Sequence, residues 1–227
     1  MQAIQLLVSV GKVKRTHPMN KAKLLRGMFG LIACGLLCRV VFADNSGWEF
    51  KKEEKGVKVY TQKVEGSNLK EFRGVASVKA SMDQIVTLFE DTPSGCAWIY
   101  KCKEFKELKV KSQDEKFFYF RQELSWPVHD RDIVDYRIRK QDPNTKVLTY
   151  HISETSENLY PEQKDVVRMP YLRVLWQFTP KENGMVEIDY QIHADPGGRI
   201  PKWLVNRLSM DIPVHTLNQF EEALERK

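Results

Sequence analysis

The chain has 227 residues, 42% of them hydrophobic and 29% charged, which is enough for one domain with a sizeable core and argues against two. Its formal charge of +6 does not belong to the part that folds: Lys12, Lys14, Arg15, Lys21, Lys23, Arg26 and Arg39 all precede the first acid, Asp44. Taking those seven from the 36 basic residues leaves 29 against 30 acidic ones, so the basic surplus that a nucleic-acid surface requires is missing and no nucleic-acid partner is expected.

Residues 19–43 have the three parts of an export signal. Lys21, Lys23 and Arg26 form a positive segment, Gly27 to Leu37 an apolar one, and Val41-Phe42-Ala43 a cleavage site. This predicts a leader over 1–43, a mature chain from about residue 44 and a periplasmic or secreted protein. An uncleaved anchor is the alternative, weakened by Arg39 inside the apolar run. Leu31-Ile32-Ala33-Cys34 also resembles a bacterial lipoprotein box, although the apolar run ahead of Cys34 is short. The mature chain keeps Cys96 and Cys102. An oxidising compartment favours a disulfide between them, but a regular helix would hold the two thiols roughly 9 Å apart along its axis, so a bridge demands an irregular turn. Two cysteines without clustered His or acid make an incomplete ligand set, and neither metal nor cofactor is expected.

Along the mature chain, Asn45-Ser46-Gly47 is turn-like and Trp48 opens a short charged amphipathic segment. Val57 to Val64 and Leu69 to Val78 alternate as strands around a hairpin-like Glu65-Gly66-Ser67-Asn68. Ser81 is placed to cap a helix over Met82 to Glu90, which Thr92-Pro93-Ser94-Gly95 ends. Strands are then predicted over 105–110, 116–125, 130–139, 147–154, 166–179 and 185–194, with turn signals between them. Strands joined by turns this short pair antiparallel, which predicts a continuous meander.

The closing segment is helical. Pro201 suits a first turn. Ile200, Trp203, Leu204, Leu208 and Ile212, then Leu217, Phe220 and Leu224, recur at helical spacing, and Pro213 predicts a bend between Met210 and Val214. Such a helix either simply closes the sheet or, gripped by a curved sheet, roofs a hollow that takes an apolar ligand.

Trp48 with Gly-Val-Lys-Val-Tyr at 56–60, Trp-Pro-Val-His-Asp-Arg-Asp-Ile-Val-Asp-Tyr-Arg at 126–137, Val-Arg-Met at 167–169, Trp-Gln-Phe-Thr-Pro at 176–180 and Gly-Gly-Arg-Ile-Pro-Lys-Trp-Leu-Val-Asn at 197–206 resemble the START (StAR-related lipid-transfer) domain, bacterial type. The resemblance spans 46–225. It implies an α+β helix-grip fold, a curved antiparallel sheet wrapped around a long C-terminal helix with an internal apolar tunnel. It also implies a non-enzymatic monomer that binds or transfers a lipid or other hydrophobic molecule, with transient membrane contact. Two alternatives stay open: a cyclase- or aromatase-like enzyme on the same superfamily fold, and a module that binds a protein partner.

Glu123 and Arg137 match the positions where sterol-binding relatives face an acid and a base across the cavity. The other reading of the pair is a cross-strand ion pair on the surface. Arg168 is a further ligand candidate that could instead face solvent. Leu204 and Leu208 lie on the apolar face of the last helix, and Trp203 is placed to meet ligand or membrane at the tunnel mouth. In His129-Asp130-Arg131-Asp132 the two aspartates share a strand face and Arg131 takes the other, which suits salt bridging at a strand start. The run has no matching nucleophile for a hydrolase. Gly197-Gly198 and the Pro213 bend are candidate hinges for a lid.

Overall fold

A computed structural model describes residues 47–124 and 128–226. The leader with Cys34, and Trp126-Pro127 of the turn, lie outside the described residues. Ten strands form one sheet: β1 (Glu49–Glu54), β2 (Val57–Lys63), β3 (Lys70–Lys79), β4 (Cys102–Val110), β5 (Glu115–Gln122), β6 (Asp130–Gln141), β7 (Leu148–Glu154), β8 (Val166–Arg168), β9 (Tyr171–Pro180) and β10 (Met185–Asp195). The helices are α1 (Met82–Glu90), α2 (Gly95–Trp98), α3 (Lys202–Leu208) and α4 (Ile212–Glu225).

The strands lie in the order β1-β2-β3-β10-β9-β7-β6-β5-β4, antiparallel throughout except that β8 runs parallel to the start of β6. The predicted meander is therefore interrupted. β3 pairs with β10, and the helical insertion carries the chain to β4 at the opposite edge. The reason is length and amphipathicity: Ala80 to Lys101 is too long for a hairpin turn, and α1 buries Ile85, Leu88 and Phe89 in the core. Ser81 caps α1 as expected. Its Oγ accepts from the Gln84 amide at 3.1 Å while Gln84 Oε1 accepts from the Ser81 amide at 2.9 Å.

Two predicted elements are divided by proline. The run 166–179 breaks at Met169-Pro170, because Pro170 has no N–H for the ladder. On one side of the break β8 pairs with β6, and on the other β9 pairs with β7 and β10. The single long closing helix is α3 and α4 joined through a 3-10 turn at Ser209–Asp211. Pro213 lacks a donor and crowds the carbonyl four residues back, so the helix restarts with Pro213 in its first turn. Pro201 sits one place earlier than predicted, as the N-cap of α3, its carbonyl accepting from the Leu204 and Val205 amides.

Alternate residues of the central strands face the helix. Val57, Val59, Phe72, Val186, Ile188, Trp176, Phe178 and Tyr150 are all buried, as are Val214, Leu217, Phe220 and Leu224 of α4. Phe89, Trp98, Trp176, Phe178 and Phe220 interlock, with Trp98 and Phe220 at 5.0 Å between centroids and Trp176 and Phe220 at 5.4 Å. At Gly74 of β3 an added Cβ would lie 2.7 Å from Pro213 Cβ and 2.9 Å from Leu217 Cδ1, so the helix touches the sheet backbone there. Gly74→Val is expected to destabilise by at least ~1–3 kcal/mol, and Gly74→Ala by less, as overpacking does. Urea unfolding measures both; an unchanged midpoint in the valine variant would mean that α4 is not seated on β3.

Candidate functional site

α4 lies over β2, β3 and β10, and α1 and α2 pack Phe89 and Trp98 against Tyr150 of β7 and Trp176 of β9. Under the α3–α4 joint lies a cavity of about 350 Å³, open on one side. Ile133, Ile152, Leu172, Val174, Trp176 and Ile192 form its sheet wall, while Val205, Ile212 and Thr216 form its roof. Four members of the lining are exposed: Lys101, Leu208, Asp211 and His215. They mark the mouth, between the loop at 99–101 and the helix joint.

One ion pair stands in this wall. Arg137 donates from Nε to Asp135 Oδ1 at 2.7 Å and from Nη2 to Asp135 Oδ2 at 3.1 Å. The side chains are 11% and 2% exposed. The guanidinium also lies against Phe118 and Phe105, 4.3 and 4.7 Å from their ring centroids. A fork-to-fork pair of this kind satisfies both charges within the protein and still leaves lone pairs and N–H groups to bind a ligand's polar atom.

The predicted partner of Arg137 is different. Glu123 follows β5, its side chain is 67% exposed, and Lys103 at 3.8 Å is its ion-pair neighbour, so the expected Glu123–Arg137 pair across the cavity is not formed. Phe120, Gln122 and Leu124 line the cavity, so Glu123, between two of them, turns to the other side. The signal for Asp135 was present in the sequence, since residues two apart on a strand share a face. Arg168 is also not a cavity residue. β8 sets it opposite Asp132 on the convex face, with Nε donating to Oδ1 at 2.8 Å and Nη2 to Oδ2 at 3.1 Å. Of the three α3 candidates only Leu208 lines the cavity; Leu204 is half-buried outside the lining, and Trp203 turns its side chain to solvent, 65% exposed.

The Asp-Arg-Asp run divides as strand geometry requires. Asp130 pairs with Lys103 and Arg121, and Asp132 with Arg168. Arg131 points the other way and bridges no carboxylate among the described residues. It donates from Nε to the Pro196 carbonyl at 3.1 Å, from Nη2 to the Gly197 carbonyl at 3.4 Å and from Nη1 to the His129 carbonyl. Burial draws it below the ordinary arginine range. This was missed in the sequence, where Arg131 reads as one more salt bridge. Gly197 and Gly198 both have φ near +65 to +70° (64° and 70°), a left-handed turn that lets the loop lie against the Arg131 guanidinium. Asp195 holds the same loop, accepting from the Gly197 amide at 2.9 Å and from Lys202 at 2.8 Å. Burial pushes its carboxyl up, but Lys202 and that amide outweigh the effect and hold it below the usual aspartate range.

Cys96 and Cys102 are bridged, with Cα atoms 4.9 Å apart. The irregular turn this needs is there: α2 stops at Trp98, Ile99 is extended, and Lys101 has φ 54°. Among the described residues no group of three or more His, Cys, Asp or Glu side chains could hold a metal ion.

The buried pair separates Asp135 from Glu123 by experiment. Arg137→Met strands the Asp135 carboxylate and is expected to destabilise by about 3–5 kcal/mol, whereas Glu123→Gln is expected to stay within about 0.5 kcal/mol of the parent. Chemical denaturation of the two variants reads this directly; equal midpoints would place Arg137, like Glu123, at the surface.

The START domain family profile matches residues 37–227. An uncharacterised protein of Pseudomonas aeruginosa is 35% identical over 205 residues, spanning 88% of this chain and 100% of its own length. A phosphatidylcholine transfer protein of Bos taurus is 26% identical over 179 residues, spanning 77% of this chain and 82% of its own. The crystal structure of a StAR-related lipid transfer protein of Xanthomonas axonopodis superposes with a TM-score of 0.72 at 32% identity, over 79% of this chain and 99% of that one. The sheet gripping a long C-terminal helix is the helix-grip fold, and by sequence and fold together the chain belongs to the START domain family.

Proposed function

We propose that this START domain binds one lipid or other largely apolar molecule in the cavity under α3 and α4 and carries it unchanged, as a monomer. The observation that carries the reading is a cavity of about 350 Å³ whose wall is mostly aliphatic and aromatic and contains one buried, already paired Asp135–Arg137 couple. Apolar walls supply affinity in such a site, and a few directed polar groups fix orientation. A hydroxyl suits this couple best, because it can donate to Asp135 and accept from Arg137 at once. A second carboxylate there would meet the charge of Asp135. The relatives named for lipid transfer support the same reading.

An enzyme of the cyclase kind needs an acid and a base converging on its substrate. Asp135 gives both oxygens to Arg137, which favours anchoring over proton transfer. A filled interior together with an exposed apolar patch would favour a protein-binding module, and the hollow favours a small molecule. Transient membrane contact belongs to the proposal too: Trp203 and Leu208 are 65% and 64% exposed on α3, and Arg199, Lys202 and Arg207 lie in the same stretch, a combination suited to a lipid surface. Export is the remaining part, with removal of residues 1–43, and the Cys96–Cys102 bridge fits an oxidising compartment.

Native mass spectrometry of protein purified from its own host, followed by lipid extraction, is expected to find one apolar molecule per chain. Protein that arrives empty and takes up nothing from vesicles would end the carrier reading. N-terminal sequencing of the same material is expected to start near residue 44; a chain starting at Met1 or Met19 would remove export from the proposal.

A further inference from the structure

We infer that the Cys96–Cys102 disulfide is a redox-controlled staple on the mouth of the cavity, and that its reduction by a dithiol speeds ligand exchange. The inference rests on the ligand-binding reading of that cavity and adds its regulation.

The placement of the bridge is the first observation. Trp98, Ile99, Tyr100 and Lys101, the residues that lead up to Cys102 within the bridged loop, all line the cavity. The mouth has two lips. Leu208, Asp211 and His215 of the helix joint make one, and Lys101 of the bridged loop makes the other. Tyr100 spans between them: its ring lies flat on the His215 ring, with centroids 4.5 Å apart and planes 4° from parallel.

The second observation is that this lip has an uneven hold on the protein. Trp98 anchors its inner end, buried against Phe89, Trp176 and Phe220. Beyond Trp98, Ile99 packs on the core and three backbone bonds hold the loop: the Ile99 amide donates to the Gly95 carbonyl at 3.0 Å, the Cys102 amide to the Ile99 carbonyl at 3.1 Å and the Glu123 amide to the Lys101 carbonyl at 2.9 Å. None of them fixes the Tyr100 side chain, which rests on His215. Lys101 is left-handed at φ 54°, a conformation that disfavours any residue with a Cβ. Closing the loop covalently removes the extended alternatives to that strained turn. Opening the bridge restores them, and the contact that then yields is the Tyr100–His215 stack, while Trp98 stays in the core.

The third observation is access. Cys96 is exposed and Cys102 half-buried. A thiolate of the dithiol attacks Cys96 Sγ, forming a mixed disulfide, and Cys102 leaves as a thiolate that takes up a proton. The second thiol of the reductant, as its thiolate, then attacks its own sulfur in the mixed disulfide and releases the Cys96 thiolate, which is protonated in turn. The protein gains two electrons and two protons, and the dithiol ends as a disulfide.

The test follows the full chain loaded with an NBD-labelled fatty acid and, separately, a fluorescent sterol. Dissociation into excess vesicles is timed in the oxidised form, in the form reduced by dithiothreitol, and in Cys96→Ser/Cys102→Ser. Hydrogen exchange is recorded at 99–102 and 208–216. Several-fold faster dissociation on reduction at unchanged saturation, matched by the double serine variant, is the expected result. Tyr100→Ala is expected to dissociate fast in both redox states, and because it keeps the bridge it stands in should the serine variant fold poorly. Equal rates in oxidised and reduced wild type overturn the staple. If neither form takes up either probe, the ligand reading fails instead, and hydrogen exchange decides the staple separately: protection at 99–102 that is unchanged by reduction overturns it.

Discussion

The position of α4 on the sheet is the constraint from which the hollow follows. An amphipathic helix must bury its apolar stripe, and on the β2-β3-β10 side it comes close to the sheet because Gly74 presents bare backbone where Pro213 and Leu217 arrive. With α4 committed to that side, Tyr150 of β7 and Trp176 of β9 meet Phe89, Trp98 and Phe220 of the helices, while Ile133 of β6, Ile152 of β7 and Leu172 and Val174 of β9 face the cavity instead. The 3-10 turn at Ser209–Asp211 and the short α3 then pass over them as a roof instead of packing into them. The cavity is what remains between a sheet that curls and a helix that cannot follow it.

β6 shows how one strand can serve two unlike surfaces. Its outward residues Asp130 and Asp132 meet Arg121, Lys103 and Arg168, and tie the β8 segment to the convex face. Its inward residues Arg131, Ile133, Asp135 and Arg137 turn into the concave side. There the strand supplies the loop clamp, part of the apolar wall and the polar anchor in succession. Period-two alternation makes this arrangement available to any strand. What is specific here is that all the inward charges find partners: Arg137 has Asp135, and Arg131 has the backbone carbonyls of the glycine loop. Buried charges without such partners would be far more costly than the fold could bear.

Three parts frame the mouth of the cavity. The glycine loop ahead of α3 is held by Arg131 and Asp195, the α3–α4 joint by the 3-10 turn, and the opposite lip by a disulfide and one aromatic stack. The aromatic cluster of Phe89, Trp98, Trp176 and Phe220 lies behind all three and ties α1, α2, α4 and β9 together. Opening at the mouth therefore leaves the core intact, which is the physical condition for a protein that exchanges a ligand and stays folded.

Much was legible in the sequence alone because local physics determined it. The alternation of β2, β3 and β10, the Ser81 capping box, the break before Pro213 and the opposite facing of Arg131 and its aspartates all follow from period, cap chemistry and proline sterics within a few residues. The START resemblance carried the fold and the position of Arg137. Tertiary structure decided what depends on distance across the sheet. Glu123 lost the pairing because Gln122 and Leu124 on either side of it face the cavity and turn it outward, and Asp135, two residues from Arg137, took it. β3 joined β10 and not β4, because a helical insertion has no fixed direction until its apolar face finds the core. Cys96 and Cys102 could be bridged only once the chain left helical geometry after Trp98. The Asp135–Arg137 pairing is local and its signal lay in the strand alternation, whereas the strand order and the bridge depend on how the chain packs and turns in space, which is why spacing along it could not settle them.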